Sequence, residues 1–180
     1  MRKKPSLKSL PTQIRDKRGR LIQVRAYEAA DFQGLKDMYD AFEPKGIESG
    51  LPPSDDKVRL KWLGYVISDF FNILALYKDQ PVGHIALDLS CTPSCPEYLI
   101  FIHQEFRDCG IGTGLSTVMK AVAKEAGCEK VVLTVRTANT CAIRVFEKVG
   151  FVFCGAIERE RDMELRLKPP RSSRQRARRE

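Results

Sequence analysis

No apolar run in this 180-residue chain approaches the roughly 20 residues that a membrane-crossing helix needs. The basic start, Met1 to Pro5, is followed by no apolar segment of the signal-peptide kind, so a secreted or membrane-anchored protein is not expected. No segment recurs, which excludes a repeat architecture. Six cysteines are present, at 91, 95, 109, 128, 141 and 154. Three of them (109, 128 and 141) fall within or beside helical patterns, where a disulfide framework is not expected, so the reading is a reduced, cytoplasmic protein. Cys91 and Cys95 have no second pair at zinc-ligand spacing, and no metal site is expected. Aromatic residues are absent from 1–20 and from 168–180, so those stretches cannot stack on nucleobases.

What is abundant is charge, unevenly placed. Residues 1–20 carry +7 and residues 168–180 carry +5, so the body from 21 to 167 holds −4 of the +8 total. The expected organisation is a basic N-terminal tail over 1–20, one domain over 21–167 and a basic disordered tail over 168–180. The first dozen residues look disordered, while Gln13-Ile14-Arg15 can pair with the next strand across Asp16-Lys17-Arg18-Gly19. The tails fit three uses: solubilising charge, a dock for an acidic partner, or phosphate contacts to RNA or the ribosome.

The body reads as strands and helices in mixed order. A strand over 21–27 precedes a helix with Phe32, Leu35, Tyr39 and Phe42 on one face, ending before Pro44. A long punctuated loop, 43–53, leads to Ser54 as N-cap and a helix presenting Val58, Trp62, Tyr65 and Val66. Strands over 73–77 and 82–89 flank a hairpin loop at 78–81, and Cys91 to Pro96 form a second loop. Tyr98 to Ile102 is an unbroken apolar run of strand length. Ile111, Leu115, Val118, Met119, Val122 and Ala126 then mark one helical face that stops at Gly127. A buried strand over 131–135 follows. A helix opening at Asn139, with Ala142, Val145, Phe146 and Val149 inward, closes at Gly150. Strands over 151–157 and 163–167 finish the body, and the class is α/β (α+β) in a single domain.

Between the strand at 98–102 and the helix that follows lies Arg107-Asp108-Cys109-Gly110-Ile111-Gly112-Thr113. A glycine-containing turn at a helix N-terminus leaves backbone N–H groups free for a phosphate. About 27 residues after Gly112 comes Asn139-Thr-Cys-Ala142-Ile-Arg-Val-Phe146-Glu147-Lys148-Val-Gly150-Phe151. Together these segments resemble the GNAT superfamily of N-acetyltransferases, with its Arg/Gln-x-x-Gly-x-Gly/Ala signature and its Asn-x-x-Ala-x-x-x-Tyr-Glu-x-x-Gly-Phe ending. The resemblance covers about 21–167. It implies the acyl-CoA N-acyltransferase fold: a mixed, mostly antiparallel sheet flanked by helices, with the family's fourth and fifth strands splayed. It also implies acetyl-CoA as cosubstrate and a primary amine as acceptor (a protein or peptide N-terminus, a lysine or a small amine), with direct attack in a ternary complex. By position, Ile100, Phe101 and Ile102 would pair with the pantetheine arm. Asp108, Cys109, Gly110, Ile111, Gly112 and Thr113 would hold the pyrophosphate, with Arg107 opening the motif and Asn139 and Phe146 beside the arm. The Ile102 amide is the expected oxyanion donor. The loop 50–53 is the expected border of the acceptor groove.

Two positions depart from the pattern. Phe146 replaces a tyrosine general acid, and Thr134, in Leu133-Thr134-Val135-Arg136, replaces a glutamate used by the ribosomal-protein branch of the family. A proton-transfer group contributes about 10²–10⁴-fold. Deprotonating a lysine of pKa about 10.4 at pH 7 costs about 4.6 kcal/mol, against about 1 for an α-amine, which favours a low-pKa acceptor. Glu97 and Glu105, at either end of the strand, are the candidate bases, with His84 a third and His103 a half-buried polar residue. The departures leave open an acyl-CoA-binding regulatory protein with little catalysis, and the tails leave open an RNA- or ribosome-associated module.

Overall fold

The computed structural model describes residues 7–46, 51–89 and 95–167. The first six residues of the N-terminal tail, all of the C-terminal tail (168–180), Gly50 of the acceptor-groove loop and Cys91 of the paired cysteines lie outside the described residues. Five antiparallel strands form the first sheet in chain order: β1 (Thr12–Arg15), β2 (Leu21–Ala26), β3 (Phe71–Tyr77), β4 (Gln80–Leu87) and β5 (Tyr98–Ile102). A second sheet has the order β6 (Lys130–Arg136), β8 (Glu160–Arg166), β7 (Val152–Cys154), again antiparallel. The helices are α1 (Phe32–Asp40), α2 (Asp56–Asp69), α3 (Ile111–Glu125) and α4 (Thr140–Val149). This is the mixed, mostly antiparallel α/β arrangement that the motifs imply.

Side-chain alternation along β5 divides the core in two. Tyr98, Ile100 and Ile102 join the larger apolar cluster with Ile111, Leu115 and Met119 of α3 and with Phe146 and Val149 of α4. Leu99 and Phe101 point the other way, into Leu35, Tyr39, Phe42 and Leu63 under α1 and α2. One short strand therefore carries both layers.

Several local expectations shift. The N-terminal segment is packed from Leu7 onward: Leu7 and Leu10 lie on the larger cluster, and the Lys8 N–H donates to Glu125 Oε2 at 2.7 Å. The disorder expected of the first dozen residues is therefore not found from residue 7 onward. The β3–β4 connection is a two-residue turn in which Lys78 and Asp79 have φ of 50° and 61°, the geometry that matches strand twist in tight hairpins. Pro81 lies inside β4, where the register shifts at Ala75/Leu76 and the bulge tolerates a residue without an N–H. Asp55, not Ser54, caps α2, accepting from the Val58 N–H at 2.9 Å.

The buried face of α2 also differs from the expected one. Val58 and Tyr65 are 54% and 57% exposed, and the inward residues are Arg59, Leu63 and Val66. Arg59 hides this face in the sequence because a charged residue reads as outward. It is buried because its guanidinium meets Asp40 Oδ1 at 2.6 Å, Asp56 Oδ1 at 2.7 Å and the carbonyls of Pro53 and Ser54 at 3.1 Å. Trp62 packs edge-on against Tyr39 and Phe101, a core role, and not in an open cleft.

Candidate active site

The two sheets meet at one point. Glu97 bridges Val132 in parallel, the Val132 N–H donates to Pro96 O at 3.0 Å, and among the described residues β5 and β6 form no ladder beyond it. A wedge therefore opens toward Ile102. Bonded and non-bonded pairs alternate in an antiparallel ladder. The Asp88 N–H donates to Glu97 O at 2.9 Å and the His103 N–H to Val82 O at 3.0 Å, which makes Phe101–His84 a bonded pair as well. Ile100 and Ile102 therefore aim their N–H groups into the wedge. Of the three residues expected on the open edge, Phe101 is the exception: its amide is turned to β4 and its ring to the α1–α2 layer.

At the wide end of the wedge, α3 begins. Gly110 is its N-cap with φ of 85°, and Asp108 also has a positive φ of 57°. The first helical bond runs from the Gly114 N–H to Gly110 O at 3.1 Å, so the amides of Ile111, Gly112 and Thr113 have no partner within the helix. Cys109 is buried, with its carbonyl accepting from the Lys17 N–H at 2.8 Å, so the β1–β2 loop braces this turn.

A Cβ built on Gly112 would lie 3.7 Å from Val145 and 3.9 Å from Ile102, in the groove between α3, α4 and β5. Those are ordinary contacts, so packing alone does not demand glycine there. The space suits an extended ligand arm that runs from the helix terminus to the wedge, and the donors fit a pyrophosphate followed by a chain of amides. Gly112→Ala is accordingly expected to keep or slightly raise the melting temperature, since alanine favours helix by about 1 kcal/mol. Calorimetric titration should show coenzyme A affinity reduced at least tenfold.

The remaining expected residues divide. Asn139 caps α4, accepting from the Ala142 N–H at 3.2 Å. Phe146 is 6% exposed, its ring 6.1 Å from that of Tyr98 and 5.8 Å from that of Phe151. The Tyr98 hydroxyl pairs with Ser116 Oγ at 2.8 Å, and burial pushes its pKa up, so it is no substitute acid. The Arg107 side chain is committed away from the phosphate turn: Nε donates to Ile102 O at 3.0 Å, Nη2 donates to Glu43 O, and the guanidinium lies over the Phe42 ring.

His84 is fully buried and has no free nitrogen. The Asn72 amide nitrogen donates to the carbonyls of Val66, Ile67 and Phe70, which turns Oδ1 toward His84 Nε2 at 2.9 Å. Nε2 must then carry the proton, and Nδ1 accepts from the Tyr39 hydroxyl at 2.7 Å. Burial lowers the His84 pKa to about 3, so its role is structural. Glu97 is exposed at the closed end of the wedge, five residues and about 17 Å of strand from Ile102. Glu105 is exposed in the 3₁₀ turn 104–106 beyond the open end.

One carboxylate was missed by reading along the chain. Asp162 faces Thr134 across the β6–β8 ladder and accepts from its hydroxyl at 2.8 Å. Both are exposed on the face of β6 opposite Leu133 and Val135, hence opposite α3 and α4. They line a cavity of about 260 Å³ with Cys154, Ala156, Glu158 and Glu160. The position that lacks a glutamate is thus supplied with a carboxylate from the neighbouring strand. No segment-level signal marks it, because the pair is 28 residues apart.

Among the described residues no group of three or more His, Cys, Asp or Glu is arranged to hold a metal, and no helix is long and apolar enough to cross a membrane. No curated protein sequence matches the chain significantly. The fold is that of the GNAT domain of S. lividans PAT (TM-score 0.76, 17% identity, 92% of this chain and 100% of that one). It is also that of yncA from Salmonella typhimurium, solved with its cofactor acetyl-CoA (0.65, 15%, 84% and 96%). A spermidine N-acetyltransferase chimera of SpeG from Vibrio cholerae and hSSAT is similar as well (0.64, 18%, 81% and 95%). The model of the acetyltransferase (GNAT) family matches residues 35–151, from α1 through the wedge and the phosphate turn to the end of α4. With that span matched and the sheet parted where an acyl-CoA arm would enter, the chain belongs to the GNAT family of acetyltransferases.

Proposed function

We propose that this protein transfers an acetyl group from acetyl-CoA to a primary amine by direct attack in a ternary complex. The observation that carries the reading is the wedge between β5 and β6, into which Ile100 and Ile102 turn their amides above the amides of Ile111, Gly112 and Thr113, which have no partner within α3. Acetyl-CoA, when bound, supplies an activated thioester carbonyl. The amides of Ile111, Gly112 and Thr113, in the turn opened by Asp108, Cys109 and Gly110, hold its pyrophosphate, and the Ile100 edge and Asn139 hold its arm. The Ile102 N–H donates to the carbonyl oxygen as negative charge builds there. Phe146 fills the apolar wall beside the arm.

The cofactor groove occupies the α3–α4 side, so the amine approaches from the other face, where Asp162 stands against Thr134. Asp162 accepts the proton from the attacking nitrogen, and Glu158 and Glu160 attract a cationic acceptor. Glu97 is too distant for this step. Glu105 is the comparison: Asp162→Asn is expected to lower kcat by about 10²-fold or more, and Glu105→Gln by much less. Equal losses in pre-steady-state acetyl transfer would remove Asp162 from this role.

The reading as a whole is tested by release of free thiol from acetyl-CoA with a panel of N-terminal peptides, lysine peptides and small amines. Turnover with at least one class is expected. Coenzyme A binding without turnover on any of them would replace the enzyme with an acyl-CoA-binding protein, an outcome that the residues Thr134 and Phe146 make specific.

A further inference from the structure

The turn after β5 reaches across to the end of α1 with two side chains. Gln104 Nε2 donates to Ala41 O at 2.7 Å, and Gln104 Oε1 accepts from the Glu43 N–H at 3.1 Å. Arg107 donates to the Glu43 carbonyl and, through Nε, to Ile102 O, with its guanidinium 4.9 Å from the Phe42 ring centroid. The Phe42 ring in turn packs edge-on against Phe101, 5.8 Å between centroids. Three consecutive residues, Ala41, Phe42 and Glu43, are thereby tied to the strand that offers the oxyanion donor. A single guanidinium separates Ile102 from the root of the segment joining α1 to α2. The far root of that segment is held independently, by Arg59 on Pro53 and Ser54. All of this lies on the α1–α2 side of β5, whereas Gly112, Val145 and the Ile102 side chain form the groove on the α3–α4 side.

We propose that Gln104 and Arg107 are positioning residues for the acceptor: they fasten residues 41–43, on the side of β5 from which the amine is proposed to approach, to the strand of the oxyanion donor, so that the two are set together. The proposal rests on the transferase reading given above. It assigns Arg107, the residue that opens the phosphate motif, to the side of the strand that the cofactor does not occupy. Arginine suits this because its planar fork can meet two carbonyl oxygens while its face covers a ring; lysine cannot do all three.

The test compares Arg107→Gln and Gln104→Met with the parent protein. Calorimetric titration with coenzyme A is expected to change by less than threefold, with an unchanged dependence on salt. Steady-state kinetics are expected to show the acceptor KM raised and kcat lowered, each about tenfold, with the acetyl-CoA KM unchanged. Hydrogen exchange should speed up by tenfold or more at residues 41–46 and stay unchanged in α3. Gln104→Met, altering one side chain of an external turn, guards against loss of fold in the arginine variant. A tenfold or greater loss of coenzyme A affinity in Arg107→Gln would make the residue a phosphate ligand and overturn the proposal, as would unchanged acceptor kinetics together with unchanged exchange. The exchange measurement reads the clamp whether or not any amine turns over, so failure of the transferase reading leaves it a separate result.

Discussion

Ile102→Pro is expected to lower kcat by about 10²–10³-fold, the cost of removing one oxyanion donor, while the chain still folds. Proline is tolerated here for a reason particular to this position. The Ile102 N–H points into the wedge and takes no part in the β4 ladder, whose bonds run through Phe101 and His103. The substitution thus deletes a donor and no sheet hydrogen bond. It also deletes a half-buried side chain, so Ile102→Ala is the control: both variants lose about 2 kcal/mol of packing, and only one loses the amide. A single-turnover rate that is the same in the two variants would exclude the amide from the chemistry. A matched circular dichroism spectrum confirms that the ladder persists.

The second large effect concerns acid stability. His84 has a folded-state pKa of about 3 against an ordinary 6.5. Between those values the unfolded chain binds a proton that the folded chain refuses, so stability is full above pH 6.5 and falls as pH drops toward 3. The slope approaches one proton, about 1.4 kcal/mol per pH unit, giving a loss of about 2 kcal/mol between pH 6.5 and 4.5. Carboxylates whose pKa values are lowered by ion pairs and hydrogen bonds add their own loss further down: Asp40 beside Lys36 and Arg59, and Glu164 beside Arg166 and Lys130. Those act below the usual carboxylate pKa of about 4, leaving the upper window to His84. His84→Gln can still donate to Asn72 and accept from Tyr39 without titrating. Urea midpoints at pH 7, 6, 5 and 4.5 should decline steeply in the parent and stay nearly level in the variant. Parallel declines would mean that another group governs the window.

What could be read along the chain was what depends on neighbours in sequence. The strand at Tyr98–Ile102, the glycine cap at Gly110, the face of α3 and the caps Asn139 and Gly150 of α4 are local choices, and each appears as its residues suggest. The misread elements depend on partners far away. Arg59 turns inward because Asp40, 19 residues earlier, neutralises it. Arg107 leaves the phosphate turn because Glu43, 64 residues away, offers a carbonyl. Asp162 reaches Thr134 through strand register alone. Phe101 illustrates a finer limit: an apolar strand announces itself, but which of its amides face the open edge is decided by the pairing of its other side. The proposed cofactor half of the site rests on one local motif, which can be read along the chain. The proposed acceptor half rests on Asp162 and Thr134, which only the register between β6 and β8 brings together.

The alternation along β5 has a further consequence, for molecular measurement. Two free N–H groups, at Ile100 and Ile102, stand about 6.8 Å apart, two residues of extended chain. The edge is therefore a ruler with marks at that interval. On the proposed function, a thioester whose arm carries polar groups at matching spacing would register on it and deliver its carbonyl to one mark. A plain acyl chain, or an arm shorter by a few ångströms, cannot satisfy both marks at once. On that proposal, selectivity for the carrier would be separated from selectivity for the acceptor: the first would be graduated along a backbone that side-chain substitution leaves in place, and the second would be left to loops and carboxylates that can change.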